Sequence, residues 1–412
     1  MKARMLKRLR KELSEFLGEF TRSMGRSDRR RWALMYVRGL LLDGARKSIE
    51  PMAARLRTID TADRDYEQSL QQFVNQSPWD VRAVRDTLAG FVVAHAAAGG
   101  SLIVDDTGFP KQGRHSAGVA RQYSGTLGKV GNCQIGVTLQ YADGQDVFCL
   151  DAALYLPKHW AEDRPRCRQA GVPDDVGYQP KWQLALAMIE RARQQGFTGT
   201  VLADSAFGTV TQFRSQLNTA GWTWCVGIDS TLKIIAAQAD LGDVPEYSGT
   251  GRPPSRPRHV RATARSSSVR EWAMSRAKSF RKVTWREGTR QKLSSRFAAW
   301  RVRPAHKLSA GKVPQPACWL LVEWPADAET PARYFLSNLP PNTSLKRLVH
   351  TAKDRWWIEH SYRQMKGELG LDHFEGRTWT GWHHHVTLVM LANLFLVMRR
   401  QKKEPPRRRQ RG

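Results

Sequence analysis

"SLIVDDTGFPKQG", residues 101–113, is the stretch on which the reading of this chain turns. Leu102, Ile103 and Val104 make a short apolar run suited to a buried strand, and the run delivers two adjacent carboxylates, Asp105 and Asp106. Like charges this close repel unless a cation lies beside them. Side chains alternate between faces along a strand, so only one of the two can easily join acids brought by other elements. Leu102 and Val104 share the side of Asp106, and Ile103 shares that of Asp105. Hydrophobicity therefore does not choose between them.

Downstream, "CQIGVTLQYA" (133–142), the turn "DGQ" and "DVFCLDAALYLP" (146–157) read as a long hairpin. "WQLALAMIERARQQG" (182–196) is an amphipathic helix stopped by Gly196. "GTVLADSAFG" (199–208) is a short strand ending at Asp204, "TVTQFRSQLNTAG" is a helix, and "WTWCVGI" (222–228) is one more strand. Strand, strand, strand, helix, strand, helix, strand is the order that opens the ribonuclease-H-like fold. The expected class is α/β: a ribonuclease-H-like mixed sheet with flanking helices, a β-containing basic insertion and an N-terminal helical domain.

Five segments follow. Residues 1–97 read as helices, with Ser77 as N-cap, Pro78 at the first helical position and Asp80 three residues after the cap. They are expected to bind DNA through the cations crowding their front. Residues 98–228 form the first part of the catalytic domain. Residues 229–340 are an insertion rich in Arg, Ser and Pro, with interleaved aromatic residues and strand candidates at 316–325 and 332–340. Residues 341–400 return to helices, with one helix expected through "SLKRLVHTAKDRWWIEHSYRQMKGELG". Residues 401–412 are a basic tail expected to be disordered and to add non-specific phosphate affinity.

Lys and Arg number 66 against 38 Asp and Glu in 412 residues, a net charge of +28, and that clustered excess points to a polyanion, above all nucleic acid. The five cysteines are scattered, without a Cys-x-x-Cys pair, which argues against a zinc finger or a disulfide framework. No secretory signal is evident, and Val386–Met398 is too short to span a bilayer and reads as a buried helix. A cytoplasmic, nucleoid-associated protein that does not engage membranes is expected. His383, His384 and His385 suggest a metal tract, but no second cluster completes one, so a helix-start or DNA-facing role is expected.

In "RWWIEHSYRQMKGELGLDHFEGR" (355–377), helical spacing makes Arg355, Glu359, Arg363 and Lys366 a charged stripe beside an apolar one of Ile358, Tyr362, Met365 and Leu369. Cleavage and transfer of a phosphodiester need an activated oxygen nucleophile and neutralisation of a pentacoordinate phosphate, which two Mg²⁺ roughly 3.5–4 Å apart supply. Three acids meeting at one end of a sheet would hold such ions through oxygen, as Mg²⁺ prefers. Asp106 in "DDTG", Asp204 in "LADSAFG" and Glu359 in "RWWIEHSYRQMK" resemble the acid triad of the DDE transposases of bacterial insertion sequences, in the branch with an insertion between the second Asp and the Glu. The resemblance covers roughly residues 100–380.

It implies cleavage of the ends of a mobile element and their joining to target DNA. Asp106, Asp204 and Glu359 would be both catalytic and metal-holding, with two Mg²⁺ that Mn²⁺ can replace. The partners implied are double-stranded DNA, at element ends and target, and further copies of the chain assembled on it. Arg355, Glu359 and Lys366 match a Tyr, Arg, Glu and Lys signature of these relatives, whose tyrosine position is Ala352 here. Asp106 is preferred to Asp105 because Thr107 follows it, and Asp105 is expected to orient a metal-bound water or a cation. Lys111, Arg114, Arg121 and Lys129, in the glycine-rich loop after the first strand, join Arg355, Arg363 and Lys366 as expected DNA contacts. A nuclease without strand transfer and a catalytically retired DNA-binding protein are the alternatives.

Overall fold

The computed structural model describes residues 2–60, 65–239, 246–251, 266–287, 292–305 and 315–403. In chain order the elements are α1 (Lys2–Phe20), α2 (Ser27–Leu41), α3 (Ile49–Arg57), α4 (Tyr66–Gln76), α5 (Val81–His95), β1 (Ser101–Pro110), β2 (Ala120–Ser124), β3 (Lys129–Ala142) and β4 (Val147–Leu154). There follow α6 (Lys158–Ala161), α7 (Arg164–Gln169), α8 (Lys181–Gln194), β5 (Thr200–Ala203), α9 (Ser205–Gly208), α10 (Thr211–Thr219), β6 (Thr223–Ile228), β7 (Lys233–Ala236), β8 (Ser267–Ser268) and α11 (Val269–Met274). The chain ends with β9 (Arg281–Glu287), β10 (Lys292–Pro304), β11 (Cys318–Trp324), β12 (Arg333–Ser337), α12 (Leu345–Lys353), α13 (Trp356–Gly367) and α14 (Trp379–Lys403). The class is the expected one: mixed α/β of the ribonuclease-H-like kind, with helices flanking the strands.

Contacts divide the chain into two compact units, residues 1–198 with 357–412, and residues 199–356. In the first, β3 is paired with β1 along one edge and with β2 and β4 along the other, all antiparallel. The expected hairpin of 133–157 is β3 and β4. The glycine-rich stretch after β1, expected as loop, contains β2, and Tyr123 and Val130 are direct partners in its ladder with β3. Glycines flanking the five residues of β2 hide its strand character.

The segment of residues 1–97 does not stand apart. Helix α14 is apolar on nearly every side: Val386, Leu388, Val389, Met390, Leu391, Ala392 and Leu394 are all buried. A helix of that kind must be covered all round, and α1, α2, α4, α5 and β4 all pack on it. Asp80, not Ser77, caps α5, accepting the Arg82 amide at 2.7 Å. A carboxylate also complements the positive end of the helix, which a hydroxyl does not. No helix among the described residues is long and apolar enough to cross a membrane.

In the second unit β5 pairs with β6 in parallel, and the antiparallel order β6, β12, β11, β10, β7 and β8 continues from it, with β9 also on β10. The insertion is thus built of strands, and the two candidates at 316–325 and 332–340 are β11 and β12. One helix was expected over 344–370, but the backbone breaks after Lys353, where Asp354 closes α12 and α13 restarts at Trp356. Most of the Arg/Ser/Pro-rich run (252–265) and the tail from 404 lie outside the described residues.

Candidate active site

Register on β1 separates the two aspartates. Asp105 lies opposite Thr138 of β3 and Asp106 opposite Val137. Directly paired residues of an antiparallel ladder put their side chains on the same face, so Thr138 reports the face of Asp105. The Thr138 hydroxyl is 2.6 Å from the Tyr362 hydroxyl of α13, which also lies 3.4 Å from the Asp105 carbonyl. Helix α13 therefore covers the Asp105 face. Burial, and then the Asp105 charge, raise the Tyr362 phenol well above its usual range, so it stays a neutral hydrogen-bonding group.

Asp106 turns the other way. Its Oδ2 accepts from Nζ of Lys181, the first residue of α8, at 2.6 Å, and that ammonium also lies over the Tyr155 ring, 5.6 Å from its centroid. Asp105 Oδ1 accepts the Asp106 amide at 2.9 Å. The repulsion at "DD" is thus relieved by the pleat, which parts the carboxylates, and by an ammonium on one of them. Lys181 escaped the sequence reading because a single Lys after Pro180 carries no motif; only the fold brings it to Asp106.

Glu359 lies in the first turn of α13 and is exposed. It stands three residues before Tyr362, hence on the same side of the helix, while Ile358, Met365 and Leu369 are buried as the apolar stripe predicted. Within this unit the acid on the face of α13 is Asp105. The register thus parts the two aspartates, Asp105 on the face of α13 and Asp106 on the face of Lys181. Asp204, in the second unit, follows β5 and caps α9, its Oδ1 accepting the amides of Ala206 at 3.0 Å and Phe207 at 3.4 Å.

The expected DNA-contacting cations divide. Arg114, Arg121, Lys129 and Arg363 are exposed. Arg121 belongs to β2 and Lys129 opens β3, rather than lying on a loop. Arg355 falls in the turn before α13 and not on its stripe. Lys111 donates to the Phe374 carbonyl, and burial, the largest influence, brings its ammonium down to about 8. Lys366 donates to the Gly108 carbonyl at 3.0 Å and the Thr126 hydroxyl at 2.9 Å, so it ties α13 to β1 and to the β2–β3 turn. Both ammonium groups are committed to the protein's own oxygens.

The three histidines are corrected as well: they line the interior of the first unit. His383 bonds with the Trp379 carbonyl, His384 with that of Val74, and His385 with the Tyr36 hydroxyl. Burial lowers them to about 3, 4 and 4, keeping them neutral. They neither face DNA nor gather around a metal. Among the described residues no group of three or more His, Cys, Asp and Glu is assembled to hold one. The donors at hand are carboxylate oxygens, the hard ligands that suit Mg²⁺ or Mn²⁺, and Asp106 already accepts one cation.

Sequence comparison adds to this geometry. A 197-residue stretch is 32% identical to a probable transposase for insertion sequence element IS701 from Microchaete diplosiphon, covering 47% of each chain. The match thus spans about half the length of that relative. The family model for DDE superfamily endonucleases matches residues 16–292, a span that includes Asp105, Asp106 and Asp204 and ends before Glu359. That span is about two-thirds of the chain, and with it the strand-end acids have a family: the protein belongs to the DDE superfamily endonucleases.

Proposed function

We propose that the protein is a DNA transposase that cleaves the ends of a mobile element and joins them to target DNA, with Asp105, Asp204 and Glu359 as its metal-holding acids. The observation that carries the reading is the register on β1, which turns Asp105 to the face covered by the helix of Glu359. Asp204 joins the set through the resemblance of "LADSAFG" alone. Divalent cations, Mg²⁺ or Mn²⁺, would supply charge neutralisation at the phosphate and acidity at the attacking oxygen.

The chain's own part is to place charge. Asp105 and Glu359 present carboxylates, the Tyr362 hydroxyl holds α13 on β1, and Lys181 cancels the charge of Asp106 so that it does not compete. In cleavage, water attacks phosphorus, the bond to the 3′-oxygen breaks, and that oxygen leaves as a hydroxyl. In joining, the same hydroxyl attacks a target phosphate, the bond from that phosphorus to the target strand's 3′-oxygen breaks, and that oxygen leaves as a hydroxyl. Double-stranded DNA is the substrate, as the net charge of +28 suits, and paired ends call for more than one copy of the chain. In the cell this places the protein on the nucleoid.

The test incubates the protein and Mg²⁺ with duplex DNA from the flanks of its own gene and scores nicked and joined products. Asp105→Asn and Glu359→Gln should abolish both products, while Asp106→Asn leaves a reduced activity. Nicked product alone would make the protein a nuclease without strand transfer. Activity lost in Asp106→Asn and kept in Asp105→Asn would return the first acid to Asp106. Binding of Mn²⁺ followed by electron paramagnetic resonance gives a second readout, weakened by Asp105→Asn in the absence of DNA.

A further inference from the structure

The β2–β3 hairpin leaves an aromatic residue in water where a folded sheet would normally bury it. Tyr123 is 64% exposed and Val130, its direct ladder partner, 54%. Paired residues share a face, so together they make one apolar spot near the hairpin end. Exposed Arg121 lies two residues before Tyr123 on the same face, whereas exposed Lys129 pairs with buried Ser124 and takes the other. From Thr107 to Ala142 the sequence contains no Asp or Glu. The spot is therefore apolar at its centre, with the Arg121 cation beside it on the same face and no carboxylate from this stretch to repel an anion.

The hairpin is also firmly seated. Lys366 fastens its turn at Thr126 to the Gly108 carbonyl. Gly108 packs so closely that an added Cβ would come within 2.0 Å of the Ser124 hydroxyl. Gly108 is three residues beyond Asp105, about 10 Å along β1 at the usual rise of a strand. The hairpin at Ser124 is thus anchored on β1 at Gly108.

We infer that Tyr123 is a stacking platform for an unpaired DNA base, with Arg121 on a flanking phosphate. An aromatic face takes any base, and cations beside it hold the backbone, which is how single-stranded nucleic acid is commonly bound. A protein partner would leave the Arg121 cation unmatched unless it were acidic, whereas unpaired DNA satisfies ring and cation together. The inference rests on the reading of the protein as acting on DNA, and it adds a preference for an unpaired end that this reading does not contain.

The test measures Kd by fluorescence anisotropy, without divalent cation so that nothing is cut, for a blunt duplex and for the same duplex carrying a short single-stranded overhang. The wild-type protein should prefer the overhang. Tyr123→Ala should lose about 5- to 100-fold on the overhang, the usual range for one base–aromatic stack, with the blunt duplex bound as before. Tyr123→Phe, which keeps the ring, should retain the preference. Equal weakening on both ligands, no weakening on either, or a Phe variant as poor as Ala would overturn the inference while leaving the transposase reading in place. Failure of the wild-type protein to bind either DNA would remove both.

Discussion

Replacing Asp151 with Asn should cost the protein about 3 kcal/mol of stability without touching an acid of the proposed site. Asp151 is buried on β4 and accepts from three guanidinium groups. Arg82 reaches its Oδ2 at 2.8 Å, Arg191 reaches the same oxygen at 2.8 and 3.0 Å, and Arg85 reaches its Oδ1 at 3.1 Å. The cluster draws α5 and α8 onto the strand. Despite full burial, Arg85 foremost and then Arg82 and Arg191 hold the carboxyl down to about 2, against an ordinary 3.8. A shift of that size corresponds to about 2.5 kcal/mol at neutral pH. Asn keeps the shape but strands a buried cation at Arg85, a change that typically costs about 3–5 kcal/mol. Arg82 and Arg191 are 36% and 38% exposed and can turn to water, which favours the lower end. Urea denaturation at pH 7 measures the difference. Because the folded carboxyl is depressed, its contribution is complete above about 3.8 and is lost as pH falls through about 2. The gap between wild type and variant should hold from pH 7 to 5 and close between about pH 4 and 2. A gap below about 1 kcal/mol at pH 7, or one unchanged at pH 3, would show that the cluster is not the anchor described.

Two further outcomes test the same unit. Lys366→Met removes both ties of the ammonium at the β2–β3 turn, so amide hydrogen exchange across residues 120–132 should quicken, by a factor set by the roughly 1.5–3 kcal/mol of hydrogen bonds from a charged donor; unchanged protection there would mean that the hairpin seats itself without Lys366. His385, brought down from 6.5 to about 4 by burial, stabilises the fold as the neutral ring above pH 6.5, and that contribution is lost as pH falls toward 4. His385→Asn should reduce the proton uptake on unfolding between those limits by about one, and an unaltered pH slope would place the ring in water.

The legible parts of this chain were those written in local pattern. Alternation and apolar runs found β1, β3, β4, β5, β6, β11 and β12, and the 3.6-residue stripe of Ile358, Met365 and Leu369 found the buried side of α13. Pairwise charge across the fold was not legible. Nothing in "PKW" announces that Lys181 meets Asp106, and Arg82, Arg85 and Arg191 look like ordinary helix-surface cations until β4 places Asp151 among them. Gaps opened too where a signal is weak by nature. The break at Asp354 has no Gly or Pro to mark it, and its carboxyl, raised to about 6 by burial, works as an interior group that composition would put on the surface. Ser77 looked like a cap because Ser-Pro is a common helix start, but Asp80 brings charge as well as an acceptor. The histidine tract misled for a related reason: a helix-start or DNA-facing role was expected of it, yet on a helix three adjacent imidazoles point in three directions and here find three separate interior partners.

The aspartate pair shows why sequence spacing alone assigns such residues poorly. Two adjacent carboxylates on a strand are a few ångströms apart along the chain but belong to different faces of the sheet, each with its own electrostatics. On one face, Asp105 lies beside Thr138, whose hydroxyl meets that of Tyr362 on α13. On the other, Lys181 meets Asp106 directly. An acid paired with an ammonium must give up or share that pair before it can hold a metal. The same comparison gives Asp106 its use. Its carboxylate is held by Lys181 on one face, while its amide donates to Asp105 and helps fix that carboxylate's rotamer on the other.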